Sequence, residues 1–175
     1  WIDLKTGQPV TSKANTLVSL QSSVRYDPEA DCPVFKSFLN EIFLDDDALV
    51  KFVQRTVGYS LTARIEEQCL FIFNGDGANG KSTLVNTITK LLGGYSKTAP
   101  EQTLLANQRT GVGDDLAYLQ GARFISVSEI DEGQALAEAK VKRITGGDDI
   151  AGRALYSLYG SLNIVGKIVI ATNNL

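Results

Sequence analysis

The sequence predicts an α/β domain built on a largely parallel sheet. Short apolar runs at residues 69–73, 124–127 and 168–172 are the length of buried strands. Amphipathic helical patterns separate them, and a glycine-rich turn joins the first run to the helix that follows.

Residues 1–65 are expected to form a lead-in and a small helical accessory segment. The first thirty are polar and rich in turn formers such as Thr6, Gly7 and Pro9, so an irregular or hairpin lead-in is predicted. From Pro33, which suits a first helical turn, Val34, Phe35, Phe38, Leu39, Ile42 and Phe43 recur at helical spacing. Asp45, Asp46 and Asp47 can cap a second helix carrying Leu49, Phe52, Val53 and Val57 on one face.

Residues 66–175 carry the alternating pattern. After the first strand and its glycine turn, Leu84, Val85, Ile88, Leu91 and Leu92 mark an amphipathic helix, stopped by Gly93 and Gly94. A helical turn around residues 115–119 precedes the second strand. A helix with Ala137, Val141 and Ile144 on one face precedes the last.

Composition narrows the chemistry. The chain has 175 residues, 43% hydrophobic and 21% charged, as expected of an ordinary globular domain. No apolar stretch is long enough to span a membrane. Histidine is absent, which removes the usual zinc and acid–base chemistry, and Cys32 and Cys69 are too few and too far apart for a disulfide framework. A reducing, cytoplasmic setting fits. A net charge of −3 excludes a surface that coats duplex DNA; any contact with nucleic acid must rest on a few local charges. With no methionine, even at position 1, the chain is read as a piece of a longer polypeptide.

The sharpest signal is the run of residues 75–82, which fits G-x-x-x-x-G-K-[ST], the phosphate-binding P-loop pattern. Glycines allow the tight turn that points successive N–H groups at phosphate oxygens. The following helix adds its positive dipole end. Lys81 supplies charge for the β- and γ-phosphates, and the Ser82 hydroxyl can ligate Mg2+. Such a match arises by chance in on the order of one chain in a hundred of this length, and here it lies between strand and helix as the motif requires. ATP and Mg2+ are the expected ligands. Gly75, Asp76, Gly77, Ala78, Asn79, Gly80, Lys81, Ser82 and Thr83 are expected to hold the nucleotide.

Hydrolysis also needs a carboxylate near the metal and a polar group near the γ-phosphate. In parallel sheets such groups collect at the carboxyl ends of strands. The second strand run is followed by Ser128 and Glu129, then Asp131 and Glu132, and the last ends at Thr172, Asn173 and Asn174. Glu129 is the expected catalytic and metal-associated carboxylate, with Asp131 as fallback. The bland alternatives are a helix-capping Glu129 and a turn-forming Asn173–Asn174 pair.

These motifs together resemble the superfamily-3 helicases, AAA+ relatives found in the primase–helicase proteins of phages and plasmids. Residues 75–82 resemble their ATPase loop, and residues 121–129 with Glu132 and Gly133 their second motif. Lys142 followed by residues 145–148 and Arg153 resembles a further motif, and residues 170–173 the sensor motif, which assigns the sensor to Asn173. The lead-in around Tyr26, Pro28, Cys32 and Pro33, and residues 57–61, are also similar. The likeness implies an AAA+-like fold, a sheet sandwiched by helices, and a ring, usually a hexamer, with ATP between subunits and single-stranded DNA in the channel. It implies replication in a bacterial cytoplasm, on a phage- or plasmid-borne protein with a primase region upstream.

The resemblance has gaps. The arginine finger of the family comes after the sensor strand and lies beyond Leu175, so this chain is expected to be truncated there, binding ATP but turning it over slowly. The expected DNA hairpin after Arg153 has no further lysine or arginine up to Gly166. Contact there would rest on Arg153 and on stacking by Tyr156 or Tyr159; packing within the hairpin is the plainer role for both tyrosines. Lys142 can serve DNA or simply pair with Glu138 one turn back. Two other functions remain open: a nucleotide-stabilised oligomerisation or DNA-docking module without turnover, and a small-molecule kinase, for which the arginines after the loop are too scattered.

Overall fold

A computed structural model describes residues 2–11, 19–106, 114–127, 130, 133–152 and 160–173. The lead-in opens with a tight antiparallel turn: Ile2 bridges Pro9 and the Asp3 N–H donates to the Gln8 carbonyl at 3.0 Å. Residues 20–23 then run to the far end of a core helix, where the Ser22 hydroxyl donates to the Leu91 carbonyl and the Gly94 N–H to the Gln21 carbonyl.

Two helices follow, α1 (Pro33–Ile42) and α2 (Asp47–Ser60). Phe35, Phe38, Leu39, Ile42 and Phe43 form the packed face of α1 and its end, as their spacing predicts; Val34 is left 84% exposed. Asp46 caps α2, its carboxylate accepting from the N–H groups of Ala48 and Leu49 at 2.9 and 3.0 Å. The packed face of α2 follows the expected one at Val53 and Val57 but is turned toward two hydroxyl residues. It runs through Val53, Thr56 and Ser60, while Leu49 and Phe52 remain exposed. The hydroxyls of Thr56 and Ser60 donate to the carbonyls of Phe52 and Thr56 one turn back, so both side chains enter the interior with their polar atoms satisfied.

The core elements are β1 (Phe71–Asn74), α3 (Lys81–Leu92), β2 (Ser96–Ala99), α4 (Asp114–Leu119), β3 (Phe124–Val127), α5 (Glu138–Gly146), β4 (Ile150–Gly152), β5 (Gly160–Leu162) and β6 (Lys167–Thr172). Strands β1, β6, β3 and β2 lie side by side in that order, every pair parallel; β4 and β5 form a separate antiparallel pair. The central strands β3 and β6 are covered on both faces, which is why their sequence is a continuous apolar run rather than an alternation.

Strand parity divides the core. Phe124 and Val169 point to the side where α3 lays down Leu84, Val85, Ile88 and Leu92, joined by Val53 of α2 and the packed face of α1. Ile125, Val127, Ile168 and Ile170 point to the other side, against Leu116 and Leu119 of α4 and Ile144 of α5. This is an α/β architecture with a parallel sheet between helices, as expected. No helix among the described residues is long and apolar enough to cross a membrane.

The base of the sheet is pinned to α2 by two cations. Lys167, 3% exposed, donates to the carbonyls of Thr62 and Val165 at 3.0 and 3.1 Å and sits 4.4 Å from the Tyr59 ring centre. The Arg123 guanidinium donates to the Leu61 carbonyl at 2.6 Å and lies over Tyr95. Both cap carbonyls at the carboxyl end of α2, where a positive charge meets the negative end of the helix dipole.

Candidate nucleotide site

All four parallel strands run the same way, so their carboxyl ends share one edge, and Asn74 of β1 is in register with Thr172 of β6. The glycine turn leaves β1 there and enters α3. Ala78 is held at φ 59° and Gly80 at φ 83°, both left-handed. That conformation is costly for Ala78, as backbone strain at a binding loop often is. Gly80 occupies the cap position of α3 without a side-chain cap, so the first N–H groups of a 12-residue helix face the edge of the sheet.

Lys81 is the centre of the loop. Its ammonium donates to the carbonyls of Gly75 at 2.6 Å and Asp76 at 3.1 Å, to Asn79 Oδ1 at 2.9 Å and to Asn173 Oδ1 at 2.8 Å. These four partners are neutral oxygens. Among the described residues no carboxylate lies within ion-pair distance of Lys81; the four oxygens orient its charge. Asn79 is itself held against the start of the loop: a Cβ on Gly75 would lie 2.4 Å from Asn79 Nδ2.

Residues 77–83 line a cavity of about 600 Å³. Its other walls are Asn86 of α3, Thr98 of β2, Ser126 of β3 and Asn173 after β6. The Thr98 and Ser126 hydroxyls share a hydrogen bond of 3.0 Å. Ser82 and Thr83 are exposed at the mouth. Ser82 provides one hard oxygen, and a magnesium ion carried by phosphates characteristically takes only one or two protein ligands. Among the described residues no cluster of three or more acidic, cysteine or histidine side chains forms a metal cage.

Of the residues singled out in the sequence, Lys81 and Asn173 are brought into direct contact across the sheet edge. Gly77, Ala78, Asn79, Gly80, Ser82 and Thr83 surround the same cavity, and Gly75 and Asp76 meet Lys81 through their carbonyls. Glu129, Asp131, Glu132, Arg153, Tyr156, Tyr159 and Asn174 lie outside the described residues. Lys142, on α5, is exposed and pairs with Glu138 at 3.7 Å, the plainer of its two expected roles. The polar wall of Asn86, Thr98 and Ser126 was not foreseen. Its one sequence signal is a serine inside the apolar run of β3, and β2 itself was not recognised.

With this geometry in view, comparison with known proteins gives three likenesses. The family described as D5 N terminal like matches residues 1–44. A protein of Acanthamoeba polyphaga mimivirus named Putative helicase L207/L206 is 28% identical over 161 residues; the match takes in 88% of this chain but only 17% of that protein's length. Two solved apo structures of the NrS-1 C terminal region, one described as its A form, share the fold. Each has a TM-score of 0.57 and 15% identity, covering 89% of this chain and 35% or 36% of the other. The chain thus shares an α/β architecture with the NrS-1 region and sequence with a helicase-named viral protein, and it spans about a sixth of the latter.

Proposed function

We propose that this chain is the ATP-binding motor core of a replicative DNA helicase of the primase–helicase kind. The observation that carries the proposal is Lys81: an ammonium ringed by neutral oxygens, at the uncapped start of α3 and at the wall of the cavity. An oriented ammonium beside a helix N-terminus attracts a polyanion. The likeness to a helicase-named protein favours a nucleoside triphosphate as that anion.

In this proposal the loop is an apo cradle. The neutral oxygens that hold Lys81 are replaced by β- and γ-phosphate oxygens, which interact more strongly with a cation. Mg2+, when bound, would screen the phosphate charge, with Ser82 and Glu129 as its protein ligands. Asn173, already in contact with Lys81, would register the γ-phosphate. Glu129 would orient the attacking water. Coupling to DNA through Lys142 and Arg153, and assembly as a ring, belong to the same proposal and rest on the resemblance.

The test is magnesium-dependent ATP binding by the chain, wild type beside Lys81→Ala, with turnover and duplex unwinding followed in the protein that carries it. Binding abolished by Lys81→Ala, and unwinding abolished by Glu129→Gln while binding persists, is the expected pattern. Unwinding that survives both substitutions rules out a motor; absence of ATP binding by the wild type rules out the nucleotide site itself.

A further inference from the structure

The loop does not stand on the core alone. At Gly80, φ 83° turns the chain into α3, and the space behind that turn is filled by α1: a Cβ placed there would lie 2.6 Å from Ile42 Cγ2 and 3.1 Å from Phe38 Cε2. Phe38 is in turn stacked on Phe35, ring centres 6.1 Å apart and 29° between planes. Both belong to the apolar cluster that also holds Leu84, Val85 and Ile88 of α3. The front of the loop is open by contrast, with nothing within 4 Å of a Cβ on Gly77.

We infer that Phe38 and Ile42 are positioning residues of the nucleotide site, so that α1 braces the phosphate loop from behind; this rests on the proposal that the loop binds a triphosphate. The physical case is preorganisation. A loop with a strained left-handed Ala78 followed by a freely turning glycine at Gly80 rearranges if space allows. The side chains behind Gly80 deny it that space and keep Asn79 and Lys81 where the phosphates must meet them. A ligand then meets a formed site and need not spend binding energy on ordering it. The residues matched by the D5 N terminal family end at 44, just after α1. The segment with that likeness therefore backs the loop of the proposed ATP site rather than only preceding it.

The test uses four single variants and one double variant, all measured for melting and for MgATP affinity at a temperature where each is folded. Ile42→Ala removes Cγ2 and is expected to weaken binding roughly ten-fold, the loss typical when a site must be ordered on binding. Ile42→Val keeps Cγ2 and should bind like wild type. Val53→Ala, in the same cluster on α2, should lower the melting temperature without changing affinity. Gly80→Ala should bind poorly, and adding Ile42→Ala, which removes the atom it strikes, should restore part of that binding although Ile42→Ala alone is harmful. Wild-type binding matched by Ile42→Ala, or Val53→Ala weakening binding as much, overturns the brace and leaves the nucleotide site standing. No MgATP binding by wild type overturns both.

Discussion

The Lys81 ammonium donates to Asn173 Oδ1 at 2.8 Å, joining the loop after β1 to the tip of β6 across 92 residues of sequence. The contact exists because β1 and β6 are adjacent and parallel, so that Asn74 and Thr172 end level. A lysine on one strand's exit and an amide on the next therefore line one cavity.

Asn173→Ala should accordingly alter discrimination more than affinity. Lys81 keeps three other oxygens, at Gly75, Asp76 and Asn79, and the loop remains formed. Binding of MgADP is expected to change little, while the preference for MgATP over MgADP falls several-fold, as loss of the hydrogen bond that the Asn173 amide N–H would donate to the γ-phosphate allows. Parallel titrations of the two nucleotides give the ratio. An unchanged ratio would separate Asn173 from γ-phosphate recognition.

Gly75→Ala tests how Lys81 is oriented. The new Cβ would come within 2.4 Å of Asn79 Nδ2, so the Asn79 amide must swing away and withdraw its oxygen from the lysine. MgATP affinity is expected to fall on the order of ten-fold, and melting should fall by several degrees as well, because an alanine is strained at the Gly75 φ of 157°. Titration calorimetry with a thermal scan distinguishes this from unfolding. Equal affinity in both proteins would show that Asn79 does not orient Lys81.

Much of the fold was legible because its signals are local. The apolar runs that became β3 and β6, the 3–4 spacing of Phe35, Phe38, Leu39 and Ile42, and the glycine stop at Gly93 each report on their own segment. What failed depends on neighbours. In β2, Ser96, Lys97 and Thr98 carry no apolar signal, and the strand exists because Ala99 and its backbone partners pack on β3. The buried face of α2 also passes through Thr56 and Ser60, whose hydroxyls are satisfied by the helix itself, so apolar spacing finds Val53 and Val57 but wrongly adds Leu49 and Phe52. In the site, the strand tips could be foreseen to gather; the Ile42 contact with Gly80 could not, because it depends on where α1 docks.

The cap on α2 offers a stability test outside the cavity. Asp46 satisfies two N–H groups at the start of the helix that carries Val53 into the shared cluster. Asp46→Ala should cost about 1 kcal/mol, and Asp46→Asn only part of that, because the amide oxygen can still accept. Denaturant unfolding of the three proteins measures the difference. Equal loss in both variants would assign the effect to charge at the helix dipole rather than to the hydrogen bonds.

Lys167 gives the chain a distinctive response to alkaline pH. Burial lowers its pKa below the ordinary 10.5, opposed by the nearby Cys69 and Glu66 and assisted by Arg123. The unfolded chain therefore holds this proton to a higher pH than the folded one. Between the lowered value and 10.5 the unfolded state binds more protons, so this group's contribution to stability rises with pH across that window. Below the window both states are protonated, and the desolvation of the buried ammonium weighs fully against folding. Lys167→Met removes the titration, although it also leaves the Thr62 and Val165 carbonyls without their donor and so lowers the whole curve. The diagnostic is the slope: unfolding free energy followed through this alkaline window should rise more steeply, or fall less, in wild type than in Lys167→Met. Parallel curves would mean that Lys167 keeps its solution pKa despite its burial, and that the carbonyls around it fully replace the water it lost.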